Sequence, residues 1–236
     1  MQNVPGSENV HAATEDTSAL EAEVRSRMTQ GENIEQEVRD LTVKALSSQG
    51  HDQDSLRHVM GAVLKGVREG AQQQLQSSST QAQAALSPVK DAVAGLDSAL
   101  AQLAAASKLT LEEAAGRAQT FSKEELTRLR ANLESIENLF LETLQESASA
   151  AQDLVEVTLR DIILHAKRNG TAVGAQLKDT LEALNHQLKS TTHSQFEAGI
   201  HLTQAITDTL RQAAANVLTE VAERIKPGDK PRGHQG

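Results

Sequence analysis

The chain contains no cysteine, tryptophan or tyrosine, and only three phenylalanines and four prolines occur among its 236 residues. Without cysteine, disulfide bonds, thiolate catalysis and cysteine-ligated metal sites are excluded. With so few aromatic side chains, the hydrophobic 38% of the chain, a large part of it alanine, provides little material for a globular core. The apolar residues must therefore lie on narrow stripes, as they do along the seams of coiled coils.

Basic residues are also in short supply. The chain has 23 lysines and arginines against 32 aspartates and glutamates, which gives a net charge of -9. Nucleic-acid backbones and anionic lipids both bind to clustered basic side chains. We therefore expect no nucleic-acid partner and no electrostatic docking to anionic membranes.

Targeting and membrane-spanning signals are missing as well. The segment from Met1 to Ser7 has neither a basic region nor an apolar one, so it does not resemble a secretory signal. The most apolar long stretch, from Val93 to Leu111, is interrupted by Asp97 and Lys108. We expect a cytoplasmic protein without a transmembrane segment.

What the sequence does have is helical periodicity between two polar ends. Residues 1–16 and 227–236 contain breakers and charges and are predicted to be disordered tails. Residues 17–226 are rich in helix-forming side chains and show no strand pattern. Because short connections favour antiparallel neighbours, we predict an all-α fold: an elongated antiparallel bundle, coiled-coil-like, with up to six helices.

The best-marked helix begins after Phe121. Ser122 and Glu125 fit a capping box, and Phe121 with Leu126 fits the hydrophobic staple that accompanies it. The apolar stripe then continues to the basic residues before Gly170, which predicts one helix over residues 123–168, about 70 Å long if it is unbroken. A kink within this helix is the alternative.

Other helix starts and weak points are marked less strongly. Asp54 is a candidate N-cap for a second helix, and Ser87 is a candidate N-cap for a third, with Pro88 at its first position. The third helix has a possible break at residues 107–110.

Three glycines lie inside the second helix. Gly61, Gly66 and Gly70 each lower helix propensity, which indicates either close approach by a neighbouring helix or a locally weak helix. The sequence leaves these alternatives open.

Histidines near the C-terminus provide the only pattern that resembles a metal site. Glu182 and His186 are one helical turn apart, and His193 and His201 could share their face. No second set of Glu and His residues with matching spacing completes the site, so we interpret these side chains as solvated and expect no metal.

Catalytic patterns are equally incomplete. Asp161 and His165 form an i,i+4 pair, but a triad requires a rigid buried constellation, and such residues alternate freely on polar helix faces. No phosphate-binding glycine loop occurs. We therefore predict no catalytic residue, no cofactor and no enzymatic activity.

The most apolar sustained stripe is a candidate interaction face. It is predicted to be bundle core or, alternatively, a face that opens against a hydrophobic surface. In the second case, Ile136→Asp or Phe140→Asp would abolish surface binding. The residues of this candidate face are Leu133, Ile136, Leu139, Phe140 and Leu144.

The segment from Ile136 to Gln145, followed by small residues, resembles bacterial phasins in an Ala- and Gln-rich chain without cysteine or tryptophan. Phasins coat polyhydroxyalkanoate storage granules, so this likeness implies a non-enzymatic protein whose amphipathic helices coat a hydrophobic polymer granule or lipid particle. The alternative is a structural bundle that acts as a homo-oligomer or as a scaffold for a protein partner.

A second resemblance covers roughly residues 32–225. The segments Leu111–Ala118, Leu139–Leu144 and Gly170–Gly174 resemble an uncharacterised proteobacterial all-helical family. This likeness implies a helical fold and no particular activity.

Overall fold

The computed structural model describes residues 7–30, 32–49, 51–77, 86–117, 121–190 and 202–225, and within them every regular element is an α-helix. The predicted all-α class is confirmed. The described residues form eight helices, where up to six were predicted: α1 (Ser7–Gln30), α2 (Ile34–Ser48), α3 (Gln53–Ser77), α4 (Ser87–Gly116), α5 (Lys123–Ala150), α6 (Asp153–Asn169), α7 (Ala172–Ser190) and α8 (Leu202–Ile225).

One additional helix lies near the N-terminus, and the other comes from the division of the helix predicted over residues 123–168. Helix α1 begins at Ser7, so it includes residues 7–16, which the sequence analysis assigned to the N-terminal tail. The reason is that the breakers are confined to Pro5 and Gly6, and good helix formers follow them. Residues 1–6 and the predicted tail at 227–236 lie outside the described residues.

The long helix predicted over residues 123–168 adopts the second of its two stated alternatives, an interruption within it. It divides into α5 and α6 at the extended residues Ala151 and Gln152. Helix α6 opens with Asp153 in the left-handed region, at φ 51°. This interruption follows the small residues from Ser147 to Ala151. The predicted end of α6 is confirmed, since Gly170 is left-handed at φ 81°.

Local hydrogen bonding fixes where α5 begins. The Ser122 hydroxyl accepts the Glu125 N–H at 3.1 Å, and the Glu125 carboxylate accepts the Ser122 N–H at 3.2 Å. This capping box was predicted and is confirmed. Phe121 and Leu126 are both buried beside it.

Two other predicted caps are displaced along the chain. Helix α3 is capped by Asp52 rather than Asp54, because Asp52 Oδ1 accepts the Ser55 N–H at 3.0 Å. That hydrogen bond lowers the pKa of Asp52. Helix α4 has Leu86 as its N-cap residue, one position before the predicted Ser87. It then runs without a break through residues 107–110.

Several neighbouring helices run parallel rather than antiparallel. Glu21 of α1 pairs with Lys65 of α3 at 2.9 Å, and further along Arg25 pairs with Glu69 at 2.7 Å. Because the residue numbers of both partners increase from one ion pair to the next, α1 and α3 run parallel. Helices α4 and α7 are also parallel, whereas α5 and α7 have the expected antiparallel arrangement, with Thr171 at Glu137 and Asn185 at Arg130.

Glycine makes the close α1–α3 contact possible. A Cβ atom added at Gly66 would lie 2.6 Å from the Glu21 carbonyl oxygen, and one added at Gly70 would lie 2.5 Å from Met28 Cβ. These two glycines therefore mark close packing. Nothing lies within 4 Å of a Cβ at Gly61, so that glycine serves no such contact.

Candidate apolar interaction site

The predicted interaction face lies inside the bundle. All five of its side chains, Leu133, Ile136, Leu139, Phe140 and Leu144, are at most 5% exposed. They belong to one apolar cluster to which all eight described helices contribute. In this conformation the face is core, as the first of the two sequence interpretations had it, and an apolar particle cannot reach it.

Helix α6 instead presents apolar side chains to solvent. Leu154, Val157 and Leu164 are 41%, 55% and 52% exposed. Their spacing of three and seven residues places them on one side of the helix, which we call the outer stripe. The opposite side buries Val155, Leu159 and Ile163. Helix α6 is therefore apolar on two sides, one buried in the bundle and one exposed to solvent.

The sequence predicts one apolar stripe through residues 123–168 and gives no second stripe in α6. The signal for the outer stripe is present, because α6 contains more large apolar residues per turn than one buried stripe uses. Outside α6, Leu109 of α4 is also 55% exposed. It is an isolated exposed side chain, which is common on protein surfaces.

The polar side chains of α6 bond within α6. The Thr158 hydroxyl donates to the Leu154 carbonyl at 2.8 Å, Arg160 pairs with Glu156, and Asn169 contacts His165 at 2.9 Å. Among the residues that the structure describes, no side-chain hydrogen bond or ion pair joins α6 to another helix. Apolar contact alone therefore holds α6 on its neighbours, chiefly α5.

A half-open groove of about 490 Å³ runs along one side of α6, between it and α4, with Phe140 of α5 at its base. Phe140, from the predicted face, forms part of its wall opposite Ile162 and Ala166. The other lining residues are Lys90, Val93, Ala94, Asp97, Asp161, His165, Gly170 and Thr171.

The half-buried Asp97 of this groove has a structural role. The two carboxylate oxygens of Asp97 accept the N–H groups of Ala172 at 2.7 Å and Val173 at 2.9 Å, and so cap α7. Burial raises the pKa of Asp97, and the nearby Glu137 carboxylate raises it further. With both oxygens already bonded, Asp97 is not placed as a general base.

The residues considered for metal binding and catalysis remain apart from any built site. Glu182 and His186 are exposed along a cleft between α4 and α7. His193 and His201 lie outside the described residues. Asp161 and His165 are both exposed on α6. Within the described part of the chain, no three histidine or acidic side chains are grouped closely enough to hold a metal ion.

Among the described helices, none combines the length and the apolar character that crossing a membrane requires. A profile of the family of unknown function DUF6781 matches residues 11–227, from within α1 to the end of α8. The chain belongs to this family. No curated protein and no solved structure shows significant similarity to it.

Membership in DUF6781 agrees with the predicted resemblance to an uncharacterised helical family. The match includes the whole of α6 and therefore the outer stripe. Family membership brings no substrate, partner or catalytic residue to this chain, so its function has to be argued from the helices themselves.

Proposed function

We propose that this DUF6781 protein is a non-enzymatic, phasin-like protein that coats the surface of an uncharged hydrophobic granule. The observation that carries the proposal is the outer stripe of α6, formed by Leu154, Val157 and Leu164. An apolar stripe on a helix that is already packed by its other side is suited to contact with a second apolar phase.

The charge of the chain favours an uncharged surface. With a net charge of -9, the protein is repelled by anionic lipid headgroups. An aliphatic polyester particle has no anionic headgroups to repel the protein, and it offers the apolar contact that the outer stripe requires. We therefore choose the polyester granule over the anionic membrane as the occupant of this surface.

The hydrogen bonding of the core supports a bundle that rearranges on such a surface. Buried hydroxyls of Thr42, Thr143 and Thr158 donate to carbonyls one turn earlier in their own helices, at 2.7–2.8 Å. These bonds persist when helices separate, so opening leaves those hydroxyls satisfied.

The experiment is co-sedimentation of the purified protein with polyhydroxybutyrate particles at low and high salt. Val157→Asp is expected to weaken binding by about tenfold or more, because it places a charge on the outer stripe. Leu109→Asp is the matched control, since Leu109 is exposed to the same 55% on another helix, and it is expected to bind as the unaltered protein does.

Val157 replaces Ile136 as the tested position because Ile136 is 1% exposed, so that an aspartate there would unfold the bundle rather than alter its surface. Protein left wholly in the supernatant, or equal binding by Val157→Asp and the unaltered chain, would overturn the proposal. If sedimentation equilibrium then detects tight assembly that Val157→Asp abolishes, the structural homo-oligomer becomes the better account.

A further inference from the structure

The three residues of the outer stripe share a heptad spacing with Asp161. Leu154, Val157, Asp161 and Leu164 follow one another at intervals of three, four and three residues, and all four are exposed. This is the spacing of the a and d positions along which one helix packs on another. The outer side of α6 therefore has the form of a helix–helix seam with one acidic position in it.

The two ends of α6 carry opposite charges. Asp153 and Glu156 lie in its first turn, and Lys167 and Arg168 lie in its last turn. A second α6 in the antiparallel direction would bring the acidic turn of each helix beside the basic turn of the other, whereas a parallel one would bring like charges together. The helix dipoles favour the same direction. Helix α6 is thus complementary to an antiparallel copy of itself.

We propose that two copies of this chain pair through the outer stripes of antiparallel α6 helices, and that this dimer covers the stripe in solution until an apolar granule displaces it. The inference rests on the proposed function, because the second copy and the granule compete for the same side chains. In a two-fold symmetric pair, Leu154 of each copy packs on Leu164 of the other. The symmetry axis then passes close to Arg160.

Asp161 keeps this dimer weak. In the same alignment it lies against Val157 of the second copy, so that a carboxylate is partly desolvated at two places in the seam. A single pair of helices about 25 Å long also buries less than the roughly 1,200 Å² of a stable interface. The net charge of -9 on each copy adds repulsion that salt screens. We expect a Kd on the order of 10 μM or weaker, which lets a granule compete.

Sedimentation equilibrium tests the dimer without any granule. Asp161→Leu completes the apolar seam and is expected to lower the Kd for dimerisation by roughly tenfold or more, whereas Val157→Asp should abolish the dimer. Asp179→Leu is the matched control, because Asp179 is exposed on α7, outside the outer stripe, and it should leave the Kd unchanged. A chain that stays monomeric even with Asp161→Leu, or that both leucine variants strengthen equally, would overturn the dimer.

Single cysteines test the direction of pairing, since the chain has none of its own. Arg160→Cys lies near the symmetry axis and is expected to join two copies through a short bismaleimide linker. Lys167→Cys, on the same helix, lies roughly 20 Å from its counterpart in an antiparallel pair and is expected to remain unlinked. Equal linking of both variants would contradict the antiparallel arrangement.

The linked Arg160→Cys dimer tests the competition. It is expected to bind polyhydroxybutyrate particles at least about tenfold more weakly than the unlinked variant, because its outer stripes are held against each other. Equal binding by the linked and unlinked forms would show that the dimer does not cover the granule-binding surface, which overturns the inference.

The two proposals fail in different ways. If the unaltered protein binds no particle, the coating function fails, and sedimentation and linking still decide whether the dimer forms. If the unaltered protein binds particles and neither it nor Asp161→Leu dimerises, the coating function stands and the inference about the second copy is wrong.

Discussion

The Thr180 hydroxyl of α7 donates to the Ala104 carbonyl of α4 at 3.0 Å, and this bond lies at the middle of the heptad-spaced contacts between two parallel helices. Thr180 is fully buried and also contacts the Gln176 carbonyl of its own helix. Its hydroxyl therefore joins the two helices, in contrast to buried hydroxyls that bond only within one helix.

Thr180→Val should reduce the free energy of unfolding by about 1 kcal/mol, because it removes a buried bond between helices while preserving side-chain shape. Thr143→Val is the matched control, since the Thr143 hydroxyl is buried but donates only to Leu139 of its own helix, and its effect should be smaller. Urea unfolding followed by far-ultraviolet circular dichroism measures both, as the chain has no tryptophan to report by fluorescence. Equal losses in the two variants would contradict the role given to Thr180.

Gly66→Ala should destabilise the protein by about 1–3 kcal/mol, because the new Cβ would collide with the backbone carbonyl of Glu21. Gly61→Ala in the same helix should stabilise it by up to about 1 kcal/mol, since alanine is the better helix former and nothing lies within 4 Å of the added atom. Thermal unfolding distinguishes the opposite signs. A stabilising Gly66→Ala would show that α1 is not packed on α3 in this way.

His51, in the connection between α2 and α3, should make stability depend on pH. Burial lowers its pKa, partly opposed by a hydrogen bond to the Leu46 carbonyl and by the Asp52 carboxylate. A folded pKa below the unfolded value stabilises the protein above about pH 6.5, and that stability is lost as pH falls through the folded pKa. Urea midpoints at pH 7.5 and pH 5.5 measure the effect.

His51→Gln has no imidazole to titrate, so the fall in midpoint between these two pH values should be smaller in this variant. Carboxylates elsewhere in the chain titrate identically in both proteins, which makes the difference between the two slopes the informative quantity. Identical slopes would mean that His51 is not coupled to folding.

Local signals in the sequence were read correctly where the deciding interactions are themselves local. The capping box of Ser122 and Glu125 and the left-handed Gly170 depend on residues within one turn of each other, and both are found as predicted. The displaced cap at Asp52 is a failure of the same kind of signal, because Asp52 and Asp54 are both suitable and only backbone geometry chooses between them.

Long-range features were not accessible in this way. Whether Gly66 marks close packing depends on Glu21, which is far away in sequence, and whether α6 has a solvent-facing stripe depends on which of its apolar sides meets α5. The predicted face from Leu133 to Leu144 could equally have been core or surface. Periodicity shows that the apolar side chains share one side of the helix, but it does not show which part of the protein packs against them.

The sequence by itself determined an acidic, cysteine-free, all-helical chain with apolar stripes, since composition and 3.6-residue periodicity act within each helix. Only the tertiary structure decided that α4 and α7 run parallel, that the candidate face is buried, and that α6 is attached by apolar contacts between two left-handed residues. The physical reason is that hydrophobic burial is non-directional, so a stripe specifies that it must be covered, and the packing of the whole chain selects what covers it.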